Sequence, residues 1–211
     1  YRCFPHIIHL SVTAILACVT DLKNAEGSMS QWEPTENATE GIQRDVISIA
    51  RVLVRTIRAS GLRREEFEEV VGQVYPDMRP ILELLRDMPI RWSSTYLMLQ
   101  RVLRLREAIE VFLAHPANAI FDKYKLPPAE WGSLEEMVEI LEYPHQAQQV
   151  LSMETVPSLA MAIPAMEALL FQWEALSAKK PHLSPMILAG HAKICEYYAV
   201  MRRSKTYVFA M

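Results

Sequence analysis

Cysteine is scarce: Cys3, Cys18 and Cys195 are the only three in 211 residues. So few exclude a disulfide framework, and no CxxC pair is present to build a zinc ribbon or a redox site. A reducing compartment is the expectation. Glycine is scarce too, six residues against 13 proline and 11 methionine, a usage with few hinges that leans towards helix. The longest apolar stretch, Ile7 to Thr20, is interrupted by His9, Ser11 and Thr13. It falls short of the roughly 18 to 20 apolar residues that a spanning helix needs. No basic segment followed by a small-residue cleavage site appears, so a soluble chain outside the secretory route is expected. Neither sign of charge dominates: 22 Lys and Arg against 25 Asp and Glu give a net charge of −3. There is no global electrostatic case for nucleic acid, and any basic surface must be local.

Catalytic signatures are missing as well. There is no nucleophile elbow, no HExxH and no glycine-rich phosphate loop. The five aspartates (Asp21, Asp45, Asp77, Asp87 and Asp122) include none at the end of a recognisable buried strand, where a two-metal nuclease would mount one. No catalytic residue and no cofactor is therefore assigned to this chain.

What is present is a globular composition, 51% hydrophobic and 22% charged, with helical periodicity almost throughout. His6 to Thr20 reads as a helix buried on both sides. From Asp21 to Gly41 the pattern collapses into a polar, acidic linker. Ile42, Val46, Ile49, Val52/Leu53 and Ile57 then form one stripe, fading at Ser60-Gly61. Arg64 to Tyr75 makes another helix, stopped by Pro76, and Ile81 to Leu85 a short one. Ser93 or Ser94 is placed to cap a long helix whose stripe is Met98, Val102, Leu105, Ile109 and Phe112. After a loop at 115–128, Trp131 to Val150 support a helix with Ser133 and Glu136 spaced as a capping box. Pro164 is expected to kink or divide the next segment, and Ile194 to Met201 closes the helical part. The last residues, Tyr207 to Met211, are strand-like. The chain lacks an initial Met and stops in this apolar run, so it is read as a piece of a longer protein.

Three groups of residues carry candidate chemistry. Cys3-Phe4-Pro5-His6 is a CxxH with His9 one turn on, but it offers two or three zinc ligands where about four are needed. A packed Cys3 and a hydrogen-bonded His6 are the alternative. Arg51, Arg55 and Arg58 share one helix face in a stretch without acid from Val46 to Arg64. Arg86, Arg91, Arg101, Arg104 and Arg106 extend that local excess. These forks suit phosphate contact, or they pair with the acids Glu130, Glu135, Glu136, Glu139 and Glu142. Arg91-Trp92-Ser93-Ser94-Thr95-Tyr96 places an indole at a helix start between Arg and hydroxyl groups. Trp92 either stacks on an unpaired base while Arg91 and Ser93 hold phosphate, or it is a core residue stapling the turn.

These residues carry a likeness. Cys3-Phe4-Pro5-His6-Ile7-Ile8-His9-Leu10 resembles the CxxH segment of hAT-superfamily DNA transposases. Ile57-Arg58-Ala59-Ser60 followed by Arg63 to Phe67 looks like their next block. Asp87-Met88-Pro89-Ile90-Arg91-Trp92-Ser93-Ser94-Thr95-Tyr96-Leu97-Met98-Leu99 is similar to their D-V-x-T-R-W-N-S-T-Y-x-M-L signature, although Ile90 and Ser93 replace Thr and Asn, and His9 replaces another Asn. The blocks fall in order, and the likeness continues weakly to Tyr197-Tyr198.

The resemblance implies a mainly α-helical chain: the helical insertion domain of an RNase H-like transposase, with remnants of the α/β core at its ends. Residues 1–21 would be a core remnant holding Cys3 and His6, 22–41 an acidic linker, 42–203 the helical insertion and 204–211 a strand-like return. It implies cut-and-paste transposition by a nuclear, homo-oligomeric parent using a carboxylate triad and magnesium, with none of the triad in this chain. DNA is the implied partner, contacted by Arg91, Trp92, Ser93 and the Arg51, Arg55, Arg58 stripe, with no membrane role. The rival expectation is a domesticated helical module for protein contacts, without DNA binding or catalysis.

Overall fold

The computed structural model describes residues 4–20, 44–88, 91–152 and 158–201. Cys3, the linker expected at 22–41 and the strand expected at 204–211 lie outside the described residues. Among the described residues eight α-helices run in order: α1 (Phe4–Leu16), α2 (Val46–Arg58), α3 (Gly61–Val74), α4 (Trp92–Arg104), α5 (Arg106–Ala114), α6 (Pro128–Leu151), α7 (Ser158–Lys179) and α8 (Ser184–Met201). Short 3₁₀ helices at Pro116–Tyr124 and Pro181–Leu183 join them. No strand occurs among the described residues, and none of their helices is long and apolar enough to cross a membrane.

The chain divides into two compact units, residues 20–138 and residues 1–19 with 139–211. In the unit 20–138, α2 is laid down by its stripe: Ile49, Val52, Leu53 and Ile57 are all buried, and Asp45 caps its start by accepting from the Ser48 N–H at 2.8 Å. Helix α2 packs on α3 and α4, and α3 packs on α5, where Phe67 meets Phe112 edge to face at 5.7 Å. The expected single helix from Ser93 to Phe112 bends at Leu105 (φ −105°, ψ 18°), without proline or glycine. Val102, Leu105, Ile109 and Phe112 all remain buried across the bend.

The short helix expected at Ile81–Leu85 does not form. Residues 81–88 run as an extended strap anchored by buried Leu84. Its carbonyls are taken across the fold: Arg101 Nη1 donates to Glu83 O at 2.5 Å, and Arg58 Nη1 donates to Leu84 O. Side-chain donors from α2 and α4 thus replace the i, i+4 ladder that a four-residue apolar cluster would have had to nucleate.

In the other unit, α1 packs on α8. Ser11, fully buried, donates to the Gly190 carbonyl at 2.6 Å. A β-carbon on Gly190 would lie 2.6 Å from Ile15 Cδ1, so the two helices approach closely only because this residue has none. Residues 1–19 thus cluster with residues 139–211 through the contact of α1 with α8. On α7, Trp173 is fully buried and donates to Ile140 O at 3.1 Å. Pro164 does not divide its segment, since α7 is continuous from Ser158 to Lys179. Helix α6 starts at Pro128, ahead of the expected capping box, with proline at the first helical position. Ser133 is already inside it, donating to Ala129 O at 3.2 Å.

Candidate nucleic-acid interface around the Arg-Trp turn

The hexapeptide from Arg91 to Tyr96 forms the start of α4, and its polar residues are held by a buried network. Arg51 Nε donates to Asp87 Oδ2 at 2.6 Å, with the two side chains only 2% and 7% exposed. Thr95 Oγ1 lies 3.1 Å from both Asp87 oxygens. Ser94 Oγ accepts from the Met88 N–H and donates to Asp87 Oδ1, each at 2.7 Å. On the other side of Arg51, Nη1 donates to Thr20 Oγ1 at 3.3 Å, and Thr20 donates to Asp45 at 2.7 Å. Ser48 Oγ donates to the same Asp45 carboxylate at 2.7 Å. One buried guanidinium therefore ties α2, the strap and the first turn of α4 together. In such a setting a satisfied ion pair specifies geometry more than it adds stability.

This arrangement sorts the residues that sequence brought forward. Arg51 does not project into solvent for phosphate: its fork is spent on Asp87 and the Thr20 and Thr95 hydroxyls. Arg55 is half-buried and Arg58 is turned onto the strap, pairing with Glu83 at 3.1 Å. The three share a helix face in sequence but not one environment. Trp92 is 5% exposed, so its indole is interior and does not present a face to a base in this conformation. Ser93 is half-buried. Ser94 is not the cap, since that position is Arg91, whose side chain is exposed. The turn closes through Arg91 N–H to Met88 O at 2.9 Å and Ser94 N–H to Arg91 O at 2.8 Å. Arg91 is thus an exposed cation at a helix N-terminus, where anions are favoured.

Arg106 and Arg44 do meet the acidic helix. Arg106 pairs with Glu110 at 3.0 Å and approaches Glu135 at 3.7 Å, its guanidinium 5.0 Å from the Trp131 ring centroid. Arg44 pairs with Glu130 at 3.4 Å, and burial pushes the Glu130 carboxyl above its usual range against that partner's pull. His6 stacks on His9 with centroids 6.1 Å apart. Burial, and then the charge of His6, lowers the His9 imidazole. Among the described residues no group of three or more His, Cys, Asp or Glu is placed to hold a metal ion.

Asp87, Thr95 and Glu83 escaped assignment from sequence. The one available signal was the acid-free run from Val46 to Arg64, because a buried arginine in it requires a carboxylate from elsewhere.

A family model described as the ZBED1 RNase-like helical domain matches residues 1–140. "Putative transcriptional regulator tpeD" of Talaromyces stipitatus is 24% identical over 141 residues, which is 65% of this chain and 16% of that protein. The chain thus spans a small part of that curated relative's length. No solved structure matches the chain.

Proposed function

Since the chain belongs to the ZBED1 RNase-like helical domain family, we propose that it is a helical module that holds DNA through phosphate contacts at the start of α4, serving a longer nuclear parent of transposase ancestry. The observation that carries this reading is Arg91, an exposed guanidinium next to the buried Trp92 at a helix start tied in by the Arg51–Asp87 pair. A planar guanidinium fork suits phosphate oxygens, and this one stands in solvent at a helix start. Ser93 stands beside it. Trp92 serves as the anchor, and Arg51 as the tie that keeps strap and helix in register. Cleavage and rejoining, with the magnesium and carboxylates they require, belong to the parent outside this chain, as does homo-oligomerisation. The name of the fungal relative, a transcriptional regulator, fits a DNA-directed role.

Fluorescence anisotropy with a labelled duplex tests the reading. The chain should bind with strong salt dependence, and Arg91→Gln should weaken binding several-fold and flatten the log–log salt slope by about 1. Trp92→Phe should keep it. Absence of duplex binding at low salt, or indifference to Arg91→Gln, rejects it.

A second reading, a protein-contact module, is favoured by Phe171 and Leu188, which are 67% and 57% exposed on α7 and α8. Replacing both with serine should then abolish partner binding and leave duplex affinity unchanged.

A further inference from the structure

The strap at 81–88 collects more positive charge than it neutralises. Arg58 Nη1 donates to Leu84 O, Arg101 Nη1 to Glu83 O, and Arg86 Nη2 to Arg58 O at 3.0 Å. All three acceptors are neutral carbonyls. The acids at this place are Glu83, 66% exposed and 3.1 Å from Arg58, and the exposed Glu68, which lines the same cavity beside Arg64. Arg104, exposed and one turn on from Arg101 along α4, adds a further cation. The four arginines, with Arg64 beside them, thus outnumber two exposed carboxylates. Arg58 Nε is buried without a hydrogen-bond partner, and burial together with the Arg104 charge disfavours the protonated form of Arg101. Like charges held together at such cost within a chain of net charge −3 mark a place that an anion would relieve.

The carbonyl bonds also have a constructive side. Each guanidinium carries five donors in a planar fork. A fork with one N–H already fixed on backbone has lost most of its rotamer freedom, while its outer edge still offers N–H groups to an incoming oxygen.

We propose that Arg58, Arg86, Arg101 and Arg104, arranged around the strap at Glu83 to Arg86, form a cradle for the phosphodiester backbone of duplex DNA. The inference rests on the DNA reading above and adds to it a second contact, apart from Arg91. The cradle reads charge and spacing, not base identity, because backbone contacts carry no sequence information. It sets the register of the duplex while Arg91 marks one end.

The test uses the whole chain and labelled duplexes of unrelated sequence. Arg86→Gln with Arg104→Gln removes two exposed charges and leaves the half-buried Arg58 and Arg101 in place. The log–log salt slope should become shallower by about 1.8, so that from about 50 to about 200 mM salt the variant loses roughly twelvefold less affinity than the parent chain. The effect should be the same for every sequence. Lys123→Gln with Lys125→Gln removes the same charge from the exposed 3₁₀ segment and its end and should leave the slope unaltered. If the parent chain and Arg91→Gln behave as expected but the Arg86/Arg104 variant keeps the parent slope, the cradle is rejected and the DNA reading survives. An equal loss in the lysine variant also rejects it, since net charge alone would then explain the effect. No duplex binding by the parent chain removes both.

Discussion

Asp87 shows at the scale of one residue how the Arg-Trp motif earns its polar composition. Its carboxylate receives Arg51, Ser94 and Thr95 in a nearly dry site, so removing it strands a buried guanidinium. Asp87→Ala should lower unfolding free energy by about 3–5 kcal/mol, and Arg51→Met combined with Asp87→Leu should recover much of the loss. Denaturant midpoints of the two variants decide this; equal destabilisation by both would contradict it. Gly190 is the second case. Its replacement by alanine drives a β-carbon into Ile15 and close to the Ser11 carbonyl, at 2.6 and 3.2 Å. Despite alanine's better helix propensity, Gly190→Ala should destabilise by about 1–3 kcal/mol, as overpacking does, read as a fall in Tm. Neither role was legible from sequence, because Asp87 was one motif position among thirteen and Gly190 an isolated glycine in a helical run.

At the scale of elements, sequence periodicity located the apolar faces well and the ends less well. The stripes of α2 from Val46 onward and of α4–α5 lie buried as their spacing required, whereas on α3 Phe67 and Val71 are buried and Val70 and Val74 only half-buried. The strap failed as a helix because Ile81, Leu82, Leu84 and Leu85 form too short a cluster to nucleate, and arginines fifteen and more residues away offered its carbonyls better partners. Pro164 is the contrary case, a residue expected to break its element that α7 absorbs in an exposed position. The proline lacks an N–H and crowds the carbonyl four residues back, so the helix tolerates a local defect for the sake of its packing. Pro164→Ala should therefore stabilise the chain by about 1–3 kcal/mol without changing its fold. A lowered Tm, or altered helical content by circular dichroism, would contradict that account.

At the scale of the whole molecule, the two units should respond differently to acid. Burial lowers both His9 and His145 below the ordinary value of 6.5, with the His6 charge adding to the effect at His9 and Glu142 opposing it at His145. A depressed imidazole means that the unfolded chain binds more protons below pH 6.5, so the stability these groups contribute is present above that value and declines as pH falls. Both lie in the unit of residues 1–19 and 139–211. In the other unit Glu130 is raised by burial, which has the opposite sign: its contribution is present at low pH and is lost as pH rises through the raised value. Acidification from about pH 7.5 to about pH 5.5 should thus speed amide exchange in α1 and the C-terminal half of α6 more than in α2 and α4. Hydrogen exchange read by mass spectrometry, corrected for intrinsic rates, checks this; a uniform response would refute it.

The sequence by itself determined the helical class, the apolar face of most helices, the presence of a local arginine excess and the family likeness carried by the Arg-Trp motif. Those are properties of spacing and residue type, and spacing is written in the chain. Tertiary structure decided which arginines are interior and which are exposed, that the Trp92 indole is interior, and that α1 belongs with α8. Such outcomes depend on which carboxylate, carbonyl or β-carbon arrives from a distant segment, and the free energy of a charge or an indole is set by those neighbours, not by its own position in the sequence.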